Sequence, residues 1–179
     1  MREPTIARNY AEALFAAGEK TGDTLRYAGL LDAVAGAVAA DESVRLTLES
    51  PRIPKTAKQE LVRRALAGRA PEALIRFLTG VIKRGRQGLL GPISTEYLAL
   101  VDVKLNRVHA GLTLARKPDQ ALIDDIRRRL SDVLGKDVVP HVREDPRILG
   151  GLIVKIGDRI MDGSVRRRLL ALRRQMLGV

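Results

Sequence analysis

The sequence has no cysteine and no tryptophan, and aromatic residues make up only 3% of its 179 residues. Without cysteine the chain can form neither a disulfide framework nor a thiolate zinc site, which fits a reducing compartment. With so few aromatic rings, the core must be built from Leu, Ile, Val and Ala, as in helix bundles. The hydrophobic share of 45% is ordinary for a folded protein, so wholesale disorder is excluded.

Long hydrophobic runs are also missing. No apolar run approaches the roughly 20 residues that a membrane-spanning helix requires. The first residues, Met-Arg-Glu-Pro-Thr-Ile-Ala-Arg, lack the hydrophobic core of a signal peptide. We therefore expect a soluble protein that stays where it is made, although it can sit beside a membrane.

Motifs for nucleotide binding are absent. Gly135-Lys136 is followed by Asp137 where a Walker loop requires Ser or Thr, and Leu130 stands where its first glycine should be. The glycines between Gly150 and Gly157 do not have the spacing of the dinucleotide fingerprint. The sequence therefore predicts no bound cofactor.

Side chains that could carry catalysis or hold a metal are few. His109 and His141, the only histidines, lie on the polar sides of predicted strands with no carboxylate at metal-ligand spacing, so we interpret them as surface or edge histidines. Asp158 and Asp162 are close enough in sequence to suggest paired carboxylates. A turn at Asp158 and a helix N-terminus after Asp162 explain both without chemistry. We expect no catalytic site and no metal site.

What the sequence has in excess is positive charge. The net charge is +11, distributed as −3 over residues 1–50, +8 over 51–110 and +6 over 111–179. This balance favours an acidic partner, a nucleic acid or an anionic membrane surface. The runs Arg127–Arg129, Arg166–Arg168 and Arg173–Arg174 could contact phosphates. Three consecutive residues of a helix point in directions that span about 200°, so they do not form one binding stripe. We therefore interpret these runs mainly as solvated faces. A nucleic-acid-binding adaptor remains the alternative function.

Residues 1–105 have the pattern of an all-α bundle of six helices. Apolar residues recur at helical spacing from Thr5 to Lys20 and from Leu25 to Ala40, and Asp41 is placed to cap a short third helix. A fourth helix follows Pro54, with Ala57, Leu61, Ala65 and Leu66 inward. Pro71 opens a fifth, and the sixth runs from about Leu90 to Leu105. Short loops join these helices, as in bundles.

Residues 106–179 have a different pattern, which predicts a small α/β domain of strand, helix, strand, hairpin and helix. Val108, Ala110, Leu112 and Leu114 alternate with smaller or polar residues, which indicates a strand. The helix that follows places Leu122, Ile126, Leu130 and Val133 inward. Pro140 lies in the second strand and puts it at a sheet edge or beside a bulge.

The most regular stretch runs from Gly150 to Met176. Leu152, Val154 and Ile156 alternate as in a strand with one buried face, and Gly157-Asp158 is a two-residue hairpin signal. Ser164 can cap the last helix, whose apolar stripe consists of Val165, Leu169, Leu172 and Met176. This regularity is typical of a docking unit. With two domains and no active site, the chain is best interpreted as an adaptor that binds other polypeptides, for instance a helix in an apolar groove.

Four stretches together resemble the δ subunit of the F-type (rotary) ATP synthase, called the oligomycin-sensitivity-conferring protein in mitochondria. They are Ala7–Phe15, Ser50–Pro54 with Lys58, Phe77–Leu78 through Gly85-Arg86 to Ile93 and Tyr97, and the segment from Gly151 to Leu169. The last is the most specific, and its motif residues are Gly151, Gly157, Asp158, Asp162, Gly163, Ser164, Arg166 and Leu169. Asn9 and Lys117–Asp119 depart from the family pattern, and the second departure concerns only a local turn.

The resemblance implies a non-catalytic stator subunit. The helical domain 1–105 would bind the N-terminal helix of an α subunit on the α₃β₃ head, and the domain 106–179 would bind the C-terminal end of the b-subunit peripheral stalk. The chain would be a monomer within the complex, peripheral on the cytoplasmic face of the bacterial plasma membrane. It would hold the head against rotor torque during proton-driven ATP synthesis. No nucleic acid is expected.

The resemblance also suggests where the α-subunit helix binds. We expect a groove between the first and fifth helices, lined by Tyr10, Ala13, Leu14, Ala17, Phe77, Gly80 and Val81. Small Ala13 and Gly80 would allow the partner's backbone to approach closely. Tyr10, Leu14 and Phe77 are equally compatible with a place in the bundle core. The basic second domain would suit an acidic stalk end.

Overall fold

The computed structural model describes residues 3–177, with side chains from Thr5 onward. The chain divides into two compact units, Met1–Val101 and Asp102–Val179. The boundary lies a few residues before the one expected between 105 and 106, because the last turn of the sixth helix belongs to the second unit. The predicted fold class is confirmed: helices come first, and a small mixed sheet with two helices follows.

The first unit consists of six α-helices. They are α1 (Glu3–Thr21), α2 (Thr24–Ala40), α3 (Glu42–Glu49), α4 (Lys55–Leu66), α5 (Glu72–Lys83) and α6 (Leu90–Lys104). Asp41 caps α3 as expected, and its Oδ1 accepts from the amides of Ser43 and Val44. The sequence makes Thr5, after Pro4, a candidate cap of α1, but Thr5 lies inside this helix, which already includes Glu3. Pro71 is the N-cap of α5 rather than its first residue.

The core of this unit is aliphatic, with two buried tyrosines. Its largest buried side chains are at most 2% exposed; they are Leu14, Tyr27, Leu31, Leu74, Leu78, Ile93 and Tyr97. The Tyr97 hydroxyl donates to the carbonyl oxygen of Thr24 at 3.1 Å, so its polar end is satisfied inside the bundle. Burial raises the pKa of Tyr97 to about 12.

Helix α4 is held to its neighbours by polar side chains as well as by the apolar Val62 and Leu66. The Lys58 ammonium, although 4% exposed, donates to the carbonyl oxygen of Ser50 at 2.7 Å. Gln59 donates to the carbonyl oxygen of Thr79 at 2.9 Å. Leu61, expected inward, is 45% exposed and faces an apolar recess of about 380 Å³ between α4 and α2. The expectation for Leu61 is therefore wrong, because periodicity identifies an apolar side but not what covers it.

The second unit is a four-stranded sheet in the order β2-β1-β3-β4. Its strands are β1 (Arg107–Leu114), β2 (Asp137–Glu144), β3 (Leu152–Ile156) and β4 (Arg159–Asp162). β1 pairs parallel to β2 and antiparallel to β3, and β3 and β4 form the predicted hairpin. β2 lies at an edge, as Pro140 required.

Helix α7 (Gln120–Leu134) connects the parallel strands β1 and β2. Asp119 caps it by accepting from the Leu122 amide at 2.8 Å, and Gly135 ends it with φ 62°. Ile126 and Leu130 pack against the core of Ala110, Leu112, Leu114, Val138 and Val154. Leu122 and Val133, also expected inward, are 44% and 83% exposed, so that part of the prediction is wrong.

Candidate functional site

The motif between Gly151 and Leu169 forms a joint between the β3–β4 hairpin and the last helix, α8 (Val165–Leu177). The Gly163 amide donates to the carbonyl oxygen of Leu152, and the Val165 amide donates to that of Gly150, each at 3.0 Å. Backbone therefore lies directly against backbone at the start of α8. Gly151, with φ +81°, stands at this contact, where a side chain would overlap the Gly163 carbonyl. Position 151 therefore requires glycine for two reasons, the positive φ and the lack of room for a Cβ atom.

The aspartate and serine of the motif fix the start of α8. Asp162 Oδ1 accepts from the Ser164 amide at 2.9 Å, and Ser164 Oγ accepts from the Arg167 amide at 3.1 Å. The predicted Ser164 cap is thus present, and the hydrogen bonds from Ser164 lower the pKa of the Asp162 carboxyl. Asp158 lies in the hairpin turn with Gly157, whose φ is +55°. Asp158 and Asp162 therefore each have a local structural role, one in the hairpin turn and one at the start of α8.

Helix α8 presents an apolar stripe that nothing covers within the described residues. Val165, Leu169 and Leu172 are 38%, 51% and 55% exposed, and Met176 is 86% exposed. At 100° per residue these four positions fall within about 60° of one another. Ile160 and Met161 of the neighbouring β4 are also exposed. The stripe is the predicted one, but it is a bare surface rather than part of a core.

Positive charge surrounds this stripe. Helix α8 contains five arginines and no acidic residue; they are Arg166, Arg167, Arg168, Arg173 and Arg174. Arg166, Arg167 and Arg174 line a cleft of about 640 Å³ next to the 3₁₀ turn Pro146–Ile148. In that cleft Arg147 forms two bonds of 2.9 Å to Asp145 and holds the pKa of this carboxyl at about 2. A partner with acidic side chains beside an apolar face would match this surface.

The residues expected to form a groove in the first unit divide into surface and core. Tyr10 and Phe77 are half-buried and touch edge to face, with ring centroids 6.1 Å apart. Ala13 is exposed, Ala17 is partly exposed, and a Cβ on Gly80 would meet no atom within 4 Å. Leu14 and Val81 are 2% and 0% exposed and belong to the core beneath this face.

Arginines from the end of α5 and the following turn stand at this α1–α5 face. The guanidinium groups of Arg84 and Arg86 lie 6.0 and 5.6 Å from the Tyr10 ring centroid, within cation–π range. The acidic-to-neutral character of the first helices suits a cationic or an amphipathic partner helix. The structure adds two cations to one end of the face, so an amphipathic partner helix fits it better than a purely cationic one.

Sequence reasoning missed one cluster entirely. His109 and His141, interpreted as two separate surface residues, are neighbours, with His109 Nδ1 2.7 Å from His141 Nε2. Asp102, near the end of α6, lies 3.0 Å from His109 Nε2. The parallel β1–β2 pairing, which joins residues some 30 positions apart, creates this cluster, and no local signal predicts it.

Two absences in the described part of the chain bear on chemistry and location. Between residues 3 and 177, no group of three or more His, Cys, Asp or Glu side chains is arranged to hold a metal ion. None of the helices in that range is long and apolar enough to cross a membrane.

Comparisons with known proteins identify one family. The family model described as ATP synthase delta (OSCP) subunit matches residues 6–176. ATP synthase subunit delta of Gemmatimonas aurantiaca is 44% identical over 174 residues, which cover 97% of this chain and 94% of that protein. The subunit delta of Salinibacter ruber is 35% identical, covering 96% and 90%.

A solved structure has the same fold. A chain in the cryo-EM structure of the Toxoplasma gondii mitochondrial ATP synthase hexamer superposes with a TM-score of 0.67 at 20% identity, covering 96% of this chain and 97% of that one. The family match extends over both units, including the α1–α5 face and the joint at α8, and it does not favour the nucleic-acid alternative. This chain belongs to the ATP synthase delta (OSCP) subunit family.

Proposed function

We propose that this chain is a stator subunit of a bacterial F-type ATP synthase and links the catalytic head to the peripheral stalk. Its work is mechanical: it resists the torque that the rotor transmits to the α₃β₃ head, and ATP binding and proton transfer take place in other subunits. The protein acts as one copy per complex, on the cytoplasmic face of the plasma membrane, without a cofactor. Family membership along nearly the whole chain supports this role.

The observation that carries the proposal is the bare, arginine-flanked stripe of α8. A solvent-exposed apolar stripe on a helix is costly unless a partner covers it. The C-terminal end of the b subunit is the partner we assign to it, as an amphipathic helix with acidic residues beside its apolar positions. The salt-sensitive attraction between the arginines and those acids would orient the partner, and the burial of Leu169 and Leu172 would supply most of the affinity.

The second surface is the α1–α5 face of the first unit. Ala13 and Gly80 leave space for a helix backbone, and Tyr10, Ala17 and Phe77 offer partly exposed apolar atoms around it. Leu14 and Val81 form the floor beneath. We assign this face to the N-terminal helix of an α subunit, held in the helix-in-groove manner.

Co-purification under nuclease treatment tests the role. The complex is isolated from the native host by a tag on another subunit, and the δ chain is then removed and added back. We expect it to co-purify with the α and b subunits after nuclease digestion, and its removal to uncouple ATP synthesis from the proton gradient while the head keeps hydrolysing ATP. Recovery of the chain only together with nucleic acid would instead support the adaptor alternative.

A further inference from the structure

The only two histidines in the sequence are hydrogen-bonding neighbours. His109 on β1 and His141 on β2 lie on the face of the sheet opposite to buried Ala110 and Leu112. The register pairs His141 with Gly111, which has no side chain to stand between the two rings. The ring centroids are 4.9 Å apart and the ring planes are inclined by 27°, so the two rings meet edge to edge.

Asp102 fixes the tautomer of this pair. A carboxylate can only accept, so His109 Nε2 carries the proton that Asp102 Oδ2 receives at 3.0 Å. His109 Nδ1 is then a lone pair directed at His141 Nε2, 2.7 Å away. A histidine that binds a metal in a protein usually donates its other ring N–H to a carboxylate or carbonyl oxygen. Asp102 accepts from His109 in the same way, which leaves the lone pair of Nδ1 as the possible ligand.

We propose that His109 Nδ1 and His141 Nε2 form a two-histidine site for a borderline divalent transition-metal ion such as Zn²⁺, with water at the remaining positions. Two ligands about 2.05 Å from a tetrahedral ion stand about 3.3 Å apart, so the two nitrogens need to separate by about 0.6 Å. Both histidines are exposed, His109 by 49% of its side chain, so such a movement and the entry of water meet no packed core.

Binding requires a tautomer change and no net release of protons. Without metal, the His141 Nε2–H donates to His109 Nδ1; with metal, His141 carries its proton on Nδ1 and coordinates through Nε2. Asp102 is a positioning residue, and its charge partly offsets that of the ion. Arg143 lies two residues after His141 on the same face of β2, and Lys155 pairs with Gly111 on that face; both oppose the ion by repulsion. These charges and the small number of protein ligands make the site one of moderate affinity that exchanges metal readily.

The full-length, untagged chain tests the site with Zn²⁺ as the probe, because it offers no other histidine and no cysteine. Titration calorimetry at pH 7.5 is expected to find one ion per chain, and His109→Gln and His141→Gln are each expected to weaken binding at least 10-fold. Asp102→Asn is expected to weaken it about 10-fold.

Two further readouts separate ligation from a general effect on folding. Zn²⁺ is expected to raise the Tm of the wild-type chain and to leave that of the double variant His109→Gln/His141→Gln unchanged. NMR of the wild-type chain is expected to show the ring resonances of both histidines moving together with added Zn²⁺. Equal Zn²⁺ affinity in the wild type and the double variant would overturn the proposal, as would unmoved ring resonances.

Discussion

Gly151 and Gly163 meet so closely at the start of α8 that a Cβ on Gly151 would overlap the carbonyl oxygen of Gly163. Gly151 also has φ +81°, in the region that favours glycine. The close contact and the positive φ are two independent reasons for glycine at position 151, and they allow the β3–β4 hairpin to lie directly against the N-terminus of α8. The orientation of the arginine-flanked stripe therefore depends on two residues that contribute no side chain to it.

The first prediction concerns this contact. Gly151→Ala is expected to lower the free energy of unfolding of the second unit by about 3 kcal/mol, since backbone strain and overlap add. Gly157→Ala is the matched control, because Gly157 also has positive φ but open space around it, and should cost about 1 kcal/mol. Hydrogen exchange of the β1 and β3 amides measures both. Equal losses in the two variants would contradict the overlap.

The second prediction concerns the stripe of α8. Leu169→Asp is expected to weaken binding of the C-terminal segment of the b subunit about 10-fold or more, because it puts a charge in place of an exposed leucine that the partner would bury. Ala171→Asp makes the same change of net charge on another side of α8 and should have a much smaller effect. Calorimetric titration of the intact chain with that segment gives both affinities, and indistinguishable values would exclude the stripe as the contact.

The charges around the stripe lead to a third prediction. Because exposed charges are screened by salt, binding of the same segment should weaken between about 0.05 and 0.5 M NaCl. Arg168→Gln and Arg173→Gln together should reduce that salt dependence while leaving the helix folded. An affinity that is constant across this range would remove the electrostatic part of the proposal.

The fourth prediction concerns the α1–α5 face. Ala13→Asp is expected to weaken binding of an α-subunit N-terminal peptide at least 10-fold, since it places a charge and extra volume where the partner backbone would approach. Ala39→Asp, at an exposed position of α2 outside this face, serves as the control. Fluorescence anisotropy with a labelled peptide measures both. If the two variants bind equally well, the groove lies elsewhere.

The fifth prediction is a pH dependence. Tyrosine in the unfolded chain ionises near pH 10, and burial raises the pKa of Tyr97 to about 12 in the folded protein. Its contribution to stability is therefore complete below pH 10 and is lost as the pH rises through about 12. Tyr97→Phe should lower the free energy of unfolding at pH 8 by about 1–2 kcal/mol, because the Thr24 carbonyl loses its donor.

The same variant should also flatten the alkaline loss of stability. Denaturant unfolding at pH 8, 10 and 11.5 is compared for the wild type, Tyr97→Phe and Tyr10→Phe. Tyr10→Phe removes a hydroxyl group from a half-buried tyrosine and is the matched control for the loss of a hydroxyl. A Tyr97→Phe profile parallel to that of the wild type would show that Tyr97 does not cause the alkaline loss.

Sequence reasoning predicted the elements whose signals are local. The Gly157-Asp158 hairpin, the Ser164 cap and the Asp41 cap each depend on a few neighbouring residues, and all three are present in the structure. Two kinds of feature could not be predicted from the sequence: the exposure of individual apolar side chains and contacts between distant strands. Periodicity placed Leu61 and Val133 on apolar sides but could not tell that they are 45% and 83% exposed within the described part of the chain. The His109–His141 contact depends on the register of two strands separated by a helix.

The bare stripe of α8 also has a consequence for the lifetime of the free chain. A 13-residue helix without a packed apolar face is only marginally stable in water, so α8 is expected to open locally more often than the bundle does. Cellular proteases cleave segments that open, and a bound partner suppresses opening by mass action. The abundance of this chain should therefore follow that of its partner, and unassembled copies should be degraded first.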